Sequence, residues 1–88
     1  MSQKILSDRA HKVLPAGGLG NYDPEIFIRE GKGARVWDED GNEYIDYLMG
    51  SGPMLLGHGH PEVVEAVQKQ LGAGMTFFAN NARSLELA

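Results

Sequence analysis

The chain has 88 residues, of which 42% are hydrophobic and 23% are charged, a composition typical of a folded globular domain. This length provides room for one small domain and excludes a large self-contained enzyme. Eight basic and twelve acidic residues give a formal net charge of −4. The lysines are too scattered to follow a phosphate backbone, so nucleic acid is not an expected partner.

Cysteine is absent from the sequence, which excludes disulfides, thiolate metal sites and thiol nucleophiles. No apolar run approaches the roughly 18 residues of a membrane span, and the polar start has no signal core behind it. We therefore expect a cytoplasmic chain without a membrane partner.

The first half of the chain predicts one helix followed by a small sheet. Apolar residues recur at near-helical spacing over residues 3–14, and Pro15 ends the pattern. Residues 15–25 are rich in glycine, proline, asparagine and aspartate, which predicts an irregular loop. Three strand-like runs follow at 26–29, 34–37 and 43–48, and Gly41 supplies the left-handed residue of a tight turn before the last. We expect an antiparallel meander.

The second half predicts two helices. Pro61 and Glu62 suit the first turn of a helix that begins at His60, and Gly72 suits its end. The expected buried stripe of this long helix consists of Val63, Val64, Val67 and Leu71. Ser84 suits the N-cap of a further helix that would continue past Ala88, so we expect a truncated part of a longer protein.

Two motifs resemble metal sites but are better explained by backbone geometry. His58 and His60 lie one residue apart, yet no third ligand can be named. A calcium loop that began at Asp38 would need glycine at its sixth position, where Glu43 stands. We predict no metal ligand, a helix start at His60 and a hairpin turn at 38–42.

No phosphate-binding or nucleophile motif is present. None of the glycine pairs gives a dinucleotide or Walker sequence between a strand and a helix. Ser51 lies between Gly50 and Gly52, which allows close approach of backbone or ligand, but there is no G-x-S-x-G sequence. The residues alone predict a small α+β unit with glycine-rich loops at 15–25 and 49–60, and no reaction.

Two strings carry a resemblance to a known family. They are G-A-R-V-W-D-E-D-G-N-E-Y-I-D-Y at 33–47 and G-P-M-L-L-G-H-G-H-P-E-V-V-E-A-V at 52–67. Together they resemble the amino-terminal region of class-III, fold-type-I pyridoxal phosphate (PLP) enzymes, in the glutamate-1-semialdehyde aminomutase-like branch. The resemblance runs from about Leu14 to Ala88, and the combination of D-x-D-G-N-E-Y-I-D with L-G-H-x-H-P is specific.

The resemblance implies an α+β fold with an amino-terminal helix, a small antiparallel sheet and a long helix, as in the amino-terminal part of a fold-type-I PLP enzyme. Residues 1–88 would be the amino-terminal, small-domain part of a larger enzyme whose cofactor domain is absent here. The phosphate-binding loop, the aspartate for the pyridine nitrogen and the catalytic lysine would lie beyond Ala88. PLP would then be bound mainly by residues outside the chain, which would contain no catalytic residue.

The resemblance also implies that two loops approach the substrate. Pro15 with Gly17 and Gly18 matches the family's proline-glycine-glycine loop, and a second loop precedes L-G-H. The expected pocket residues are Gly18, Tyr22, Gly50, Ser51 and Gly52.

The chain departs from the aminomutase pattern at two places in these loops. The aminomutase has a tryptophan at the position of Ser51. The smaller serine would widen the substrate pocket in this chain. The aminomutase also has an arginine near residues 22–25, where this chain lacks a guanidinium able to bind a carboxylate as a fork. The alternative for Ser51 is a small residue in a tight loop.

The interpretation that the resemblance favours is an aminotransferase, moving an amino group between an amino acid or amine and a keto acid or aldehyde. The alternatives are a segment of a glutamate-1-semialdehyde-type aminomutase and a free-standing, non-catalytic α+β interaction module. The implied partners are a small-molecule amino donor and acceptor, the rest of the enzyme chain and a second subunit in a homodimer.

Overall fold

The computed structural model describes residues 2–15 and 25–88. Within these ranges lie α1 (Gln3–Val13), β1 (Ile28–Lys32), β2 (Arg35–Asp38), β3 (Glu43–Ile45), α2 (Pro61–Leu71) and α3 (Ala82–Leu87). The strands are neighbours in the order β1–β2–β3, and both pairs are antiparallel. The predicted α+β fold with a small meander is confirmed.

Helix α1 begins at a side-chain cap and ends where predicted. The Ser2 hydroxyl accepts a hydrogen bond from the Ile5 amide, and the backbone turns extended at Leu14, just before Pro15. Its buried face is narrow: Ser7 and Ala10 are buried, whereas the apolar side chains of Ile5 and Val13 are exposed. The reason is that α1 meets its neighbours largely through polar side chains.

The carboxylate of Asp38, at the end of β2, is fully buried and joins several parts of the chain. One oxygen accepts from the amides of Asp40 and Asn42, at 3.0 and 2.8 Å. The other oxygen accepts from Nδ2 of the Asn42 side chain, from the Tyr44 hydroxyl and from Nε2 of the Gln3 side chain, at 2.9, 2.8 and 3.1 Å. The hairpin turn, strand β3 and helix α1 therefore share one acceptor.

We call the Asp38 carboxylate and its donors the hub. Further polar contacts extend from it along α1. The Gln3 side chain also accepts from the Phe27 amide at 2.8 Å, and its backbone amide donates to Asp40 at 3.1 Å. One turn further on, the buried hydroxyl of Ser7 donates to Glu25 at 2.7 Å. These bonds fix α1 against the segment that enters the sheet.

Strand β2 is shifted by one residue from its predicted range, and the boundaries of β1 and β3 differ by more. Strand β1 starts at Ile28 and continues to Lys32, because Lys32 pairs with Arg35 across a tight connection. Strand β3 ends at Ile45, three residues earlier than predicted. There the carboxylate of Asp46 accepts hydrogen bonds from the backbone amides of Leu48 and Met49, and the chain bends out of the sheet.

The glycine-rich passage after β3 returns to the sheet at a single point. Gly33 and His58 exchange two backbone hydrogen bonds, each 2.9 Å long. Gly57 has φ +82°, and a Cβ there would lie 2.9 Å from the Gly33 carbonyl oxygen. This approach admits only glycine at position 57.

Helix α2 starts and ends as predicted but does not bury its apolar stripe. Pro61 lies in its first turn, Gly72 is its C-cap, and Glu65 pairs with Lys69 at 3.4 Å. The prediction of a buried face was wrong, because no described element covers these side chains; between 41% and 60% of each is exposed, for Val63, Val64, Val67 and Leu71. The stripe is an uncovered apolar surface.

Helix α3 is capped by a different residue from the one predicted. The side-chain oxygen of Asn81, not Ser84, occupies the cap and accepts from the Ser84 amide at 3.2 Å. Asn81 is extended, with φ −140° and ψ 162°, which leaves its side chain free to reach forward over the first turn.

The chain exposes far more surface than a compact protein of its mass. Its accessible area is 7330 Å², whereas the size scaling for a folded 9.6 kDa monomer gives about 5,100 Å². Among the described residues, only Ala10 and Val36 are buried apolar side chains. Polar contacts and sheet pairing, more than an apolar core, define this fold.

Within residues 2–15 and 25–88, none of the helices combines the length and apolar character needed to cross a bilayer.

Replacing Gly57 by alanine tests the close approach to Gly33. Gly41 provides a matched control, because its φ of +87° is similar while a Cβ there would meet nothing within 4 Å. We expect Gly41→Ala to destabilise by about 1–2 kcal/mol, the cost of the left-handed conformation, and Gly57→Ala to cost more. Urea unfolding can be followed by the fluorescence of Trp37, the single tryptophan. Equal losses of unfolding free energy in the two variants would show that the backbone at Gly33 leaves room for a Cβ at position 57.

The hydrogen bonds to Asp38 predict a defined pH dependence. Burial raises the pKa of this carboxyl, but the bonds from Asn42, Tyr44 and Asp40 outweigh it and lower the pKa from 3.8 to about 2. Because the folded state binds the proton more weakly, the stabilisation is fully present above about pH 4 and is lost as the pH falls towards 2. Asp38→Asn should be destabilising at pH 7, whereas Asp40→Asn should have little effect.

The measurement is the urea midpoint of the wild type and both variants between pH 7 and 2. The difference in urea midpoint between the wild type and Asp38→Asn should begin to shrink below about pH 3.8 and should be mostly lost near pH 2. A difference that stays constant down to pH 2 would contradict the role of the ionised carboxylate.

Candidate functional site

The residue that follows β3 organises the loop that carries three of the predicted pocket residues. The Asp46 amide donates to the Ala34 carbonyl at 2.8 Å, which keeps the residue at the edge of the sheet. One carboxylate oxygen accepts from the amides of Leu48 and Met49, both at 3.0 Å. The other lies 2.6 Å from Nε2 of His58.

We call the pair formed by Asp46 and His58 the clasp. It is largely shielded from solvent, since 15% of the Asp46 side chain and 25% of the His58 side chain are exposed. The imidazole packs on Gly31 of β1, where a Cβ would lie 2.6 Å from its Cγ. Glycine at position 31 therefore makes room for the ring that reaches Asp46.

The pKa of Asp46 is lowered from its ordinary value. The Met49 amide contributes most, and the His58 side chain next; desolvation acts in the opposite direction, and the Leu48 amide adds to the lowering. The ionised carboxylate is thus the form that the fold favours. At neutral pH both of its oxygens act as acceptors.

Residues 49–52 form what we call the left-handed turn. All four have positive φ: 54° at Met49, 61° at Gly50, 66° at Ser51 and 112° at Gly52. The Ser51 and Gly52 amides donate to the carbonyls of Leu48 and Met49, both at 3.0 Å. Met49 and Ser51 carry side chains in a conformation that costs about 1–2 kcal/mol per residue. Such strain is concentrated at functional sites more often than elsewhere.

Two cavities flank the clasp. One of about 280 Å³ lies between it and the loop, bordered among others by Met49, Met54 and Leu56. The other, of about 440 Å³, lies on the apolar face of the sheet and is bordered by Ile28, Val36, Ile45 and Gly50, with Asp46 and His58 at its polar side.

The predicted pocket residues are therefore found in different places. Gly50 borders the larger cavity, whereas Ser51 and Gly52 are exposed and border neither cavity. Gly18 and Tyr22 lie outside the described residues. The role of these five residues in a substrate pocket stays a prediction.

Sequence reasoning missed the clasp, which is the best-connected polar pair near this loop. The glycines on either side of Ser51 predicted room for close approach of backbone or ligand, but not the positive φ of all four residues. No sequence rule pairs an aspartate with a histidine twelve residues later in an irregular passage. The spacing of His58 and His60 resembles a metal site but is better explained by backbone geometry, and in the structure Nε2 of His58 faces Asp46.

The described residues do not fit a complete PLP site. Such a site requires a desolvated lysine and groups that bind the phosphate and the ring nitrogen. Lys4 and Lys69 are ion-paired on the surface, with 84% and 79% of their side chains exposed. Lys12 and Lys32 are also exposed. None of these amines borders either cavity beside the clasp.

Comparison with known proteins gives a consistent result. A glutamate-1-semialdehyde 2,1-aminomutase of Acetivibrio thermocellus is 46% identical over 97% of this chain and 22% of its own length. An omega-transaminase of Sphaerobacter thermophilus superposes with a TM-score of 0.87 at 30% identity, over 99% of this chain and 21% of its own. A transaminase with PLP bound superposes at 0.81 with 35% identity, over 98% of this chain and 22% of its own.

This chain thus spans about a fifth of the length of the relatives it matches. The model of the family described as aminotransferase class-III matches residues 19–87, which is most of the chain. With the match including both the sheet and the loop that the clasp closes, the chain belongs to the class-III aminotransferase family.

Proposed function

We propose that these residues are the amino-terminal, small-domain part of a PLP-dependent aminotransferase. The complete enzyme moves an amino group between an amino acid or amine and a keto acid or aldehyde. The observation that carries this proposal is the shared architecture, which extends from α1 to α3 and aligns with transaminases along nearly the whole chain. The exposed stripe of α2 supports it, because a surface of that kind needs a covering element.

PLP is the cofactor of this proposed enzyme, and residues outside the chain bind most of it. The cofactor supplies an electron sink for amino transfer. The chain's own contribution is to shape the substrate side, through Gly18, Tyr22, Gly50, Ser51 and Gly52. The partners are the amino donor and acceptor, the rest of the enzyme and a second subunit, in the cytoplasm.

An aminomutase is the second candidate, because the 46%-identical relatives carry that name. Ser51 and residues 22–25 favour amino transfer instead. A small side chain at position 51 leaves more room for an acceptor than tryptophan does. Without an arginine in the first loop, a substrate carboxylate loses a bidentate partner there.

Substitution of Ser51 in the complete enzyme tests its place in the pocket. We expect Ser51→Trp to narrow the range of amino acceptors, with discrimination on the order of 1–3 kcal/mol against bulky ones, and to leave the bound cofactor unchanged. Ser51→Ala is the matched control, since it keeps a side chain at the same positive φ without adding bulk. The measurement is kcat/KM over a panel of acceptors, together with PLP content. Loss of PLP with unchanged acceptor preference would assign Ser51 to the fold.

Residues 1–88 on their own should bind PLP only non-specifically and transfer no amino group. The lysine side chains of the described residues are exposed on the surface, whereas a nucleophilic lysine is desolvated or lies beside another cationic group. The assay adds PLP at low micromolar concentration and follows cofactor absorbance and amino transfer to pyruvate and 2-oxoglutarate. Saturable, stoichiometric binding lost on substitution of one lysine, accompanied by turnover, would overturn the proposal that the catalytic groups lie elsewhere.

A further inference from the structure

The left-handed turn must be stabilised from outside itself. Two of its four residues carry side chains at positive φ, so the turn is disfavoured relative to an extended or right-handed segment. Its internal bonds, to the carbonyls of Leu48 and Met49, are those that any tight turn can make. A strained conformation persists only where neighbouring structure over-determines it.

Contacts on both sides of the turn supply that constraint. On the amino-terminal side, Asp46 binds the amides of Leu48 and Met49 and is itself bonded to Ala34 of the sheet connection. On the carboxyl-terminal side, His58 exchanges two backbone bonds with Gly33.

The clasp joins these two anchors through the side chains of Asp46 and His58, at 2.6 Å. It closes the loop at its base. Gly50, in the middle of the turn, borders the same 440 Å³ cavity that Asp46 and His58 border. A change in the clasp is therefore transmitted over a short distance to the backbone at this cavity.

We propose that Asp46 and His58 are positioning residues that lock residues 49–52 in the left-handed conformation and thereby set where the turn's backbone meets the substrate. This rests on the proposed function, since it takes the turn as part of the substrate pocket. In this role the clasp touches neither the reacting atoms nor the cofactor. It acts on substrate affinity through the backbone that it holds.

The test uses the complete enzyme that contains this segment, with variants at position 58. His58→Leu removes the bond to Asp46, whereas His58→Gln keeps an N–H donor close to the position of Nε2. Lys69→Gln is the control, because it breaks an ion pair on the exposed side of α2, away from the loop. Should His58→Leu fail to fold, Asp46→Asn weakens the clasp while retaining the acceptor for Leu48 and Met49.

Two measurements are made on each variant. Hydrogen exchange is read for peptides that cover residues 48–54 and, separately, for peptides of β1 and β2. Steady-state kinetics give kcat and KM for donor and acceptor, with PLP content measured in parallel.

We expect His58→Leu to accelerate exchange at residues 48–54 about tenfold or more, the size expected for a lost hydrogen bond to a charged group, with β1 and β2 unchanged. KM should rise by a similar factor while kcat and PLP content change little. His58→Gln should restore most of both effects, and Lys69→Gln should match the wild type.

Unchanged exchange at residues 48–54 in His58→Leu would overturn the proposal. So would an equal rise in β1 and β2, which indicates a general structural role, or a loss of PLP without a change in KM. If the wild type transfers no amino group to any acceptor, the proposed function fails, and the exchange data still decide whether the clasp holds the turn.

Discussion

The buried carboxylate of Asp38 joins parts of the chain that are distant in sequence. It takes donors from the hairpin turn, from Tyr44 in β3 and from Gln3 in α1. Removing a charge from water is unfavourable unless donors replace the lost solvent, and here five hydrogen bonds do so. The ionised form is retained, and the chain is ordered around it.

The candidate site depends on that hub through the register of the sheet. Because the hairpin turn fixes the pairing of β2 with β3, Arg35 lies opposite Ile45. The next residues on each side, Ala34 and Asp46, are then joined by a backbone hydrogen bond. Asp46 in turn caps the left-handed turn and meets His58. A polar network thus runs from the hub to the loop, while only two apolar side chains are buried among the described residues.

Sequence reasoning succeeded where local chemistry decides the structure. Pro15 and Pro61 mark an end and a start of helices, and Gly41 has the positive φ that its turn requires. Sequence reasoning failed where a side-chain hydrogen bond or a tertiary contact determines the structure. The end of β3 is set by the Asp46 side chain, and the cap of α3 by Asn81 in place of Ser84. A periodicity argument also cannot tell whether an apolar stripe is covered, as α2 illustrates.

The family resemblance added a functional role for the two glycine-rich loops, which the residues alone did not predict. It added nothing about the contacts between Asp46 and His58. Composition and spacing gave two glycine-rich loops without a reaction, and the family assigned them to the substrate side. Neither source revealed the clasp, because its two members come from a bend and an isolated bridge with no regular period. The physical features that support a site here are the strain of the left-handed turn and the contacts that maintain it.

In the proposed PLP enzyme, this chain contributes the substrate side of the pocket through its left-handed turn. The most direct measurement is a structure of the complete enzyme with a non-reactive substrate analogue bound. We expect the backbone of residues 50–52 in van der Waals contact with the analogue, within about 4 Å, and the clasp intact behind it. An analogue bound elsewhere, with the turn packed against another part of the fold, would contradict the claim.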